Sequence, residues 1–570
     1  MVTASTAFLE ALVEAGISYI FANLGSDHPG IVEAMAEARA TGRPVPTLLT
    51  CPNEMVALSA AHGFAQLAGV PQCVLVHVEC GTQALAGAVH NAAKGRIPVL
   101  IFAGSSPFTQ EGELRGSRNE FIQWIQDVFD QRGLVRGYMR YDNELRTGRN
   151  IKQMTHRALQ FATSEPRGPV YLMAAREVLE EEVPPVAIDI ADWRPLAPAG
   201  LPPEGVDEVV AALMGARRPL VVSSYLGRKP EAVGELVRLC GRLGIAVLDS
   251  VPNYVNFPAD DVLYQGCQWN EPVQNAALAE ADVVLVLDSD VPWIPLISRP
   301  APGAKIFHID TDPLKQAMPL WYIAARRSYR ADIAVALGQL NAALDAAVID
   351  EAAVQARMAM HRARHAQRMA GLDAAEQMAA GVITPEFLTG CVRARMDADS
   401  VAMVEGISNY RIIIDHLRST RPGSMFTSGG GSLGWNGGAA IGAKLARPDS
   451  TVFALGGDGS YMFSVPSSVH WMARQYATPF VQVVYNNRGW KSPKLSALAV
   501  HPDGYASRAN EIGVSFDPPP DYAGIAAAAG GALGLTVKRP EEVGPALDAA
   551  LRAVREEKRA AVLDVWLPHL

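Results

Sequence analysis

The sequence predicts an α/β protein built as three successive doubly wound parallel-sheet domains. Two observations carry this. Short apolar runs of strand length alternate with helical runs three times over along the 570 residues, a pattern that predicts parallel sheets covered by helices on both faces. The alternation is interrupted twice, by prolines at 184, 185, 195, 198, 202 and 203 and by a strand-free stretch at 349–380 rich in Ala, Met, Arg and His. The expected units are therefore 1–185, 205–345 and 384–570, joined by a proline-rich linker and by a helical connector at 346–383. A chain of this length also asks for several domains on size grounds.

In the first unit the candidate strands are 19–24, 47–51, 73–78 and 99–103, with helices at 54–67 and 83–94 between them; GPVYLMAAREVL adds a closing strand. The second unit has candidate strands at 219–223, 246–248, 283–287 and 305–309. The third has 401–404, 424–427, 451–455, 480–485 and 561–565. No short-period repeat is visible, which excludes a solenoid.

Composition removes several functional classes. With 49% apolar and 19% charged residues, the chain can fill large cores and is not a disordered one. A net charge of −9 leaves no basic surplus, so no nucleic acid and no membrane surface is expected as a partner. The six cysteines (51, 73, 80, 240, 267 and 391) form no CxxC pair, which argues against zinc and for buried free thiols in a reducing, cytoplasmic setting. The opening MVTASTAFLEALVEAG reads as an amphipathic helix rather than a signal peptide, and no apolar stretch near 20 residues could span a bilayer.

The strongest chemical signal lies in the third unit. The strand TVFALG runs into Gly457-Asp458-Gly459-Ser460, and the strand FVQVVY runs into Asn486-Asn487-Arg488-Gly489, with residues 460–485 between the two motifs. Both turns follow parallel strands, where α/β sheets bind ligands. Mg2+ takes hard oxygen ligands, typically one or two carboxyl or amide oxygens completed by phosphate and water. Asp458 supplies the charge, and the flanking glycines let a phosphate approach backbone N–H groups. Either motif alone reads equally as an ordinary turn; the pair favours a magnesium diphosphate site. The segment Gly429–Gly434, GGGSLG, has dinucleotide-fingerprint spacing, but its acidic ribose partner is only loosely met by Asp449.

The GDG and NN pair resembles the signature of thiamine diphosphate-dependent enzymes. The resemblance runs over nearly the whole chain, with three domains ordered and sized as in acetolactate synthase, benzoylformate decarboxylase and 2-hydroxyacyl-CoA lyase. It implies a pyrimidine-binding, a central and a diphosphate-binding domain, with thiamine diphosphate and Mg2+ as cofactors. Carried over residue by residue, Asp458, the Asn487 side chain and the Gly489 carbonyl would hold Mg2+. Gly459, Ser460 and Ser408 would meet the diphosphate. The Gly431 carbonyl would accept from the aminopyrimidine, and Leu433 would wedge beneath the cofactor, its alternative being ordinary core.

Glu54 stands at the start of an apolar helix just after a strand. Read from residues alone, it is either a first-turn glutamate favouring the helix dipole or a carboxyl that activates the cofactor from a dry setting. The segment resembles the family's catalytic glutamate, and the family places it across a subunit boundary from the diphosphate motif, implying a homodimer or homotetramer. Ser26 and His77 resemble substrate-contacting residues of benzoylformate decarboxylase; a histidine near neutrality shuttles protons, and its alternative is a satisfied strand-end residue. His28 is either a site group or a surface loop residue. Gln126, beside Asp127, is expected to be a polar contact in a loop reaching the partner's site. Trp490 and Trp293 are pocket candidates, although large aromatics more often simply pack. Asp310 and Asp312 either meet a ribose or cap a turn, and no flavin is expected.

The expected function is a C–C lyase or decarboxylase with carboligase capacity, acting on a small-molecule carbonyl substrate, a 2-keto acid or 2-hydroxyacyl compound. The alternatives are 2-hydroxyacyl-CoA thioester cleavage, acetolactate synthesis, an NAD-linked dehydrogenase and a non-catalytic ligand-binding relative. Departures from the relatives at Glu79-Cys80-Gly81, Asn436-Gly437-Gly438 and GSDHPG leave the substrate open.

Overall fold

A computed structural model describes residues 1–510 and 513–570. Its frame is three six-stranded, all-parallel sheets. The first contains β1 (Tyr19–Ala22), β2 (Thr47–Thr50), β3 (Gln72–Val76), β4 (Val99–Ser105), β5 (Tyr141–Leu145) and β6 (Val170–Ala175), in spatial order β2-β1-β3-β4-β6-β5. The second contains β7 (Pro219–Ser223), β8 (Ala246–Ser250), β9 (Tyr264–Gln268), β10 (Val283–Leu287), β11 (Lys305–Asp310) and β12 (Arg327–Arg330), in order β9-β8-β7-β10-β11-β12. The third contains β13 (Val401–Glu405), β14 (Met425–Thr427), β15 (Val452–Gly457), β16 (Val481–Asn486), β17 (Leu533–Val537) and β18 (Ala561–Trp566), in order β14-β13-β15-β16-β18-β17. Helices cover both faces, so inner strands such as β3, β4 and β10 are buried along their whole length, which is why they read as unbroken apolar runs.

Among the described strands of these three sheets, four escape the sequence reading: β5, β9, β12 and β17. All four lie at a sheet edge. An edge strand is paired and covered on fewer sides, so it needs less apolar content; YDNEL and RSYR show the result. The expected 83–94 helix is two helices, Val78–Ala84 and Ala86–Lys94, meeting at Leu85. The stretch 349–380 holds one long helix, Glu351–Ala375.

The Glu54–Ala68 helix starts where the Asn53 side chain accepts from the Val56 N–H and stops at Gly69 in a left-handed conformation. It packs along the Asn436–Ala446 helix of the third unit. Glycines permit this approach: a Cβ on Gly63 would lie 2.2 Å from the Ala439 carbonyl oxygen, and one on Gly442 1.9 Å from that of Ala60. The first and second units are tied by Arg96, a buried guanidinium that bonds Asp290 at 2.7 Å and Asp310 at 3.2 Å.

Candidate active site

Strands β15 and β16 are neighbours with Gly457 opposite Tyr485, so the turns that follow them open side by side at the sheet's C-terminal edge. Between them is a crevice of about 280 Å3. Ser408, Gly431, Leu433, Asp458, Gly459, Ser460, Asn487 and Gly489 all line it. Trp490 also lines it, its indole nitrogen 2.6 Å from where a Cβ on Gly459 would sit. Gly489 has no room for a side chain either, since its Cβ would meet the Val514 carbonyl oxygen at 2.2 Å.

The Asn487 amide tests whether this turn suits a cation. Its side-chain oxygen faces only acceptors, 3.3 Å from Asp458 Oδ1 and 2.7 Å from the Gly489 carbonyl oxygen; turned over, its nitrogen would donate to both. With its nitrogen inward the amide is satisfied by Asp458 and Gly489; with its oxygen inward it joins them as a third hard oxygen donor of the kind Mg2+ takes. Asp458 itself accepts from Gly459 N at 3.0 Å through Oδ1 and from Gly489 N at 2.9 Å through Oδ2. Burial pushes its pKa up to about 6, the mark of a carboxylate that lacks a counter-charge. The residues therefore fit Mg2+, and the glycine-lined turn beside them fits a diphosphate.

The Gly429–Gly434 turn crosses between the units. Gly431 N donates to His90 Nε2 at 3.1 Å and Ser432 N to Asn91 Oδ1 at 3.1 Å, while buried Glu405 accepts from Gly434 N at 2.6 Å and from Asn436 N at 2.8 Å. Its glycines are required by packing: a Cβ on Gly429 would sit 2.3 Å from Gly95 Cα, and one on Gly434 2.4 Å from the Phe463 carbonyl oxygen. This accounts for the run without a dinucleotide. His90 and Asn91 were missed in the sequence; Glu405 was noted only as the start of the loop, Glu405–Ser408, that meets phosphate in the family it resembles, not as the carboxyl that holds this turn.

Glu54 does not line this crevice, whose lining comes wholly from the third unit. It sits in the first unit, 8% exposed, its Oε1 accepting from Asn23 Nδ2 at 2.7 Å. Its Oε2 takes no hydrogen bond among the described residues. Nearby, His77 bonds on both sides: Nδ1 lies 2.5 Å from Asp27 Oδ1, and Nε2 lies 2.8 Å from Gln126 Nε2. The Asp27 hydrogen bond raises the His77 pKa above its ordinary value. Burial pushes Asp27 up, but His28 and His77 more than offset it and leave its carboxyl below the ordinary value. Val78, immediately after His77, and Ile407, in the crevice, are β-branched residues held at φ 34° and 45°, backbone strain of the kind that collects at functional sites.

Several expectations are corrected. His28 is fully buried, not a surface residue, because it packs beside Asp27 with its Nδ1 accepting from Gly25 N. Gln126, by contrast, is a polar contact to His77 within the chain, and beside it Asp127 faces solvent and pairs with Arg118. Trp293 is buried in the second unit and lines a separate cavity of about 470 Å3 beside Ser250 and Gln268. Asp310 is committed to Arg96 and to Lys315, whose Nζ is 2.5 Å away, so it is not free for a ribose. Cys80 is exposed although Glu79 and Gly81 on either side of it are buried; four of the other cysteines are buried.

Three doubly wound units, with a diphosphate- and cation-shaped crevice at the strand ends of the third, define a cofactor-dependent α/β enzyme. Family profiles identify the cofactor. "Thiamine pyrophosphate enzyme, N-terminal TPP binding domain" matches residues 2–134, the corresponding central domain matches 206–339, and the C-terminal TPP binding domain matches 406–565. Sulfoacetaldehyde acetyltransferase of Castellaniella defragrans is 26% identical, covering 99% of this chain and 93% of that protein. Benzoylformate decarboxylase of Pseudomonas aeruginosa is 25% identical over 85% of this chain and 86% of its own. Among solved structures, 4-hydroxybenzoylformate decarboxylase of Rhodococcus jostii RHA1 shares the fold with a TM-score of 0.77 at 20% identity, covering 100% of this chain and 99% of that one. The chain belongs to the thiamine pyrophosphate enzyme family, within its decarboxylases and carboligases, and its cofactor is thiamine diphosphate. No helix among the described residues is long and apolar enough to cross a membrane.

Proposed function

We propose that the protein is a decarboxylase or lyase with carboligase capacity whose donor is a 2-keto acid. Thiamine diphosphate supplies a carbon nucleophile and an electron sink when bound. Asp458, Asn487 and the Gly489 carbonyl would hold its Mg2+, Gly459, Ser460 and Ser408 would meet the diphosphate, and Leu433 and Gly431 would support the rings. Glu54 would bond the pyrimidine, placing a carboxyl group where the bound cofactor's carbon acid can be activated. His77, Ser26 and Gln126 face the substrate, where the imidazole exchanges a proton with a carbonyl or alkoxide oxygen.

The observation that carries this reading is the division of the site. The cation clasp and the carboxyl group with its histidine sit in separate halves of one chain. A second copy supplies the missing half, so the working unit is a homodimer, or a homotetramer of two such pairs. The exposed apolar strip beside Gln126, with Phe121 76% and Ile125 71% exposed, supports such a partner. Six free thiols suit a cytoplasmic location.

A panel of 2-keto acids and 2-hydroxyacyl-CoA thioesters, offered to stripped enzyme with thiamine diphosphate and Mg2+ restored, tests the donor. CO2 and an aldehyde, or a carboligation product, are expected from a 2-keto acid only with both cofactors present. Turnover confined to the CoA thioesters would replace this reading with 2-hydroxyacyl-CoA cleavage.

A further inference from the structure

Behind His77 the first sheet is hollowed out to seat a carboxylate. Asp27 is 1% exposed and His77 is 20% exposed. Two glycines make the room: a Cβ on Gly104 would lie 1.9 Å from Asp27 Oδ2, and one on Gly25 1.9 Å from His77 Nδ1. The other carboxylate oxygen is pinned as well, with Val78 N donating to Oδ2 at 3.1 Å and His28 Nε2 3.2 Å from it. Desolvating a carboxylate is costly unless it is paired and hydrogen-bonded. Here its hydrogen bonds leave Oδ1 directed at one nitrogen of a largely buried imidazole.

That aim decides the tautomer. A carboxylate only accepts, so His77 Nδ1 must carry the proton. The neutral ring then has its lone pair on Nε2, the nitrogen turned away from Asp27. Gln126 meets Nε2 with an amide nitrogen, a donor, which specifies the same tautomer from the opposite side. When Nε2 takes up a proton, the Gln126 amide has to turn and offer its oxygen. The groups that set the local charge are Asp27 and His28 behind the ring, Glu54 across from it, and Glu79 and Cys80 on the helix that follows.

Resting on the reading of His77 as the substrate-facing base, we propose that Asp27 is its positioning residue: the buried carboxylate locks the imidazole in the Nδ1–H form, leaving Nε2 as the nitrogen that exchanges a proton with substrate, and Gln126 gates that nitrogen. The Asp27 hydrogen bond also raises the His77 pKa above its ordinary value.

The test is a two-bond proton–nitrogen correlation spectrum of 15N-histidine-labelled protein across a pH titration, with His77→Asn assigning the signal and Asp27→Asn as the probe. The wild type should show the Nδ1–H tautomer and a midpoint above that of a free histidine. In Asp27→Asn the midpoint should fall by about one to two units, the scale of one lost adjacent charge, and the His77-dependent limb of kcat/KM should move with it. An Nε2–H tautomer in the wild type, or a midpoint that stays put in Asp27→Asn while kcat falls, overturns the proposal. The wild-type tautomer needs no variant to fold. The spectrum is read without cofactor or substrate, so a failure of the proposed reaction would show on the substrate panel and not here.

Discussion

Glu405 is a carboxyl group with no access to solvent, yet both its oxygens are occupied by backbone N–H groups of the turn that lines the crevice. Burial pushes its pKa up to about 8 from an ordinary 4.5. Between these values the folded chain keeps a proton that the unfolded chain has released. The stabilisation is therefore complete below pH 4.5 and is lost as the pH rises through 8. Glu405→Gln cannot ionise, and it sets an amide N–H against one of the two backbone donors, leaving a buried group unsatisfied at a cost of ~1–3 kcal/mol. Its thermal midpoint should lie below that of the wild type at pH 5, and the gap should narrow towards pH 9. A gap that stays constant from pH 5 to pH 9 would show that the carboxyl is ionised throughout and would contradict this. At this scale the pair of turns proposed to hold the metal was legible because its residues come in two short motifs at strand ends. Asp27 and His77 were not legible as a pair: they stand 50 positions apart, and only folding brings them into contact.

At the scale of elements, the two halves of the fold are held in register by the Glu54–Ala68 and Asn436–Ala446 helices. Glycine in a helix interior costs about 1 kcal/mol relative to alanine, so Gly442 should be improved by Gly442→Ala if propensity decided. Contact decides instead, because the new Cβ would meet the Ala60 carbonyl oxygen at 1.9 Å. Separating two packed helices costs more than the propensity returns. Gly442→Ala should lower the thermal midpoint by several degrees and impair cofactor binding, since the same helix carries Asn436 at the crevice turn. An unchanged or raised midpoint in calorimetry would mean the helices are free to part. Central strands were readable from composition because both their faces are buried, whereas β5, β9, β12 and β17 were hidden by their edge positions, where Tyr141, Asn143 or Arg327 serve as well as valine.

At the scale of the whole molecule, three similar units divide the work. The first carries the carboxyl group and the histidine, the third the diphosphate crevice, and the second holds the first through the buried Arg96 cluster. Order and size of the units were legible in the alternation of strand and helix. The separation of Glu54 from the crevice was expected only from the family resemblance, because residues alone cannot say which surfaces of one chain remain open for another. The central claim is that each working site combines Glu54 of one chain with the Asp458–Asn487–Gly489 clasp of another. Its most direct test is the activity of a mixture of Glu54→Gln and Asp458→Ala chains, co-refolded or co-expressed in equal amounts, each variant being inactive alone. Half of the dimers are then mixed, and each mixed dimer has one intact site of two, so about a quarter of wild-type activity should return. A mixture as inactive as its components would mean that each chain builds its site by itself, and would contradict the account.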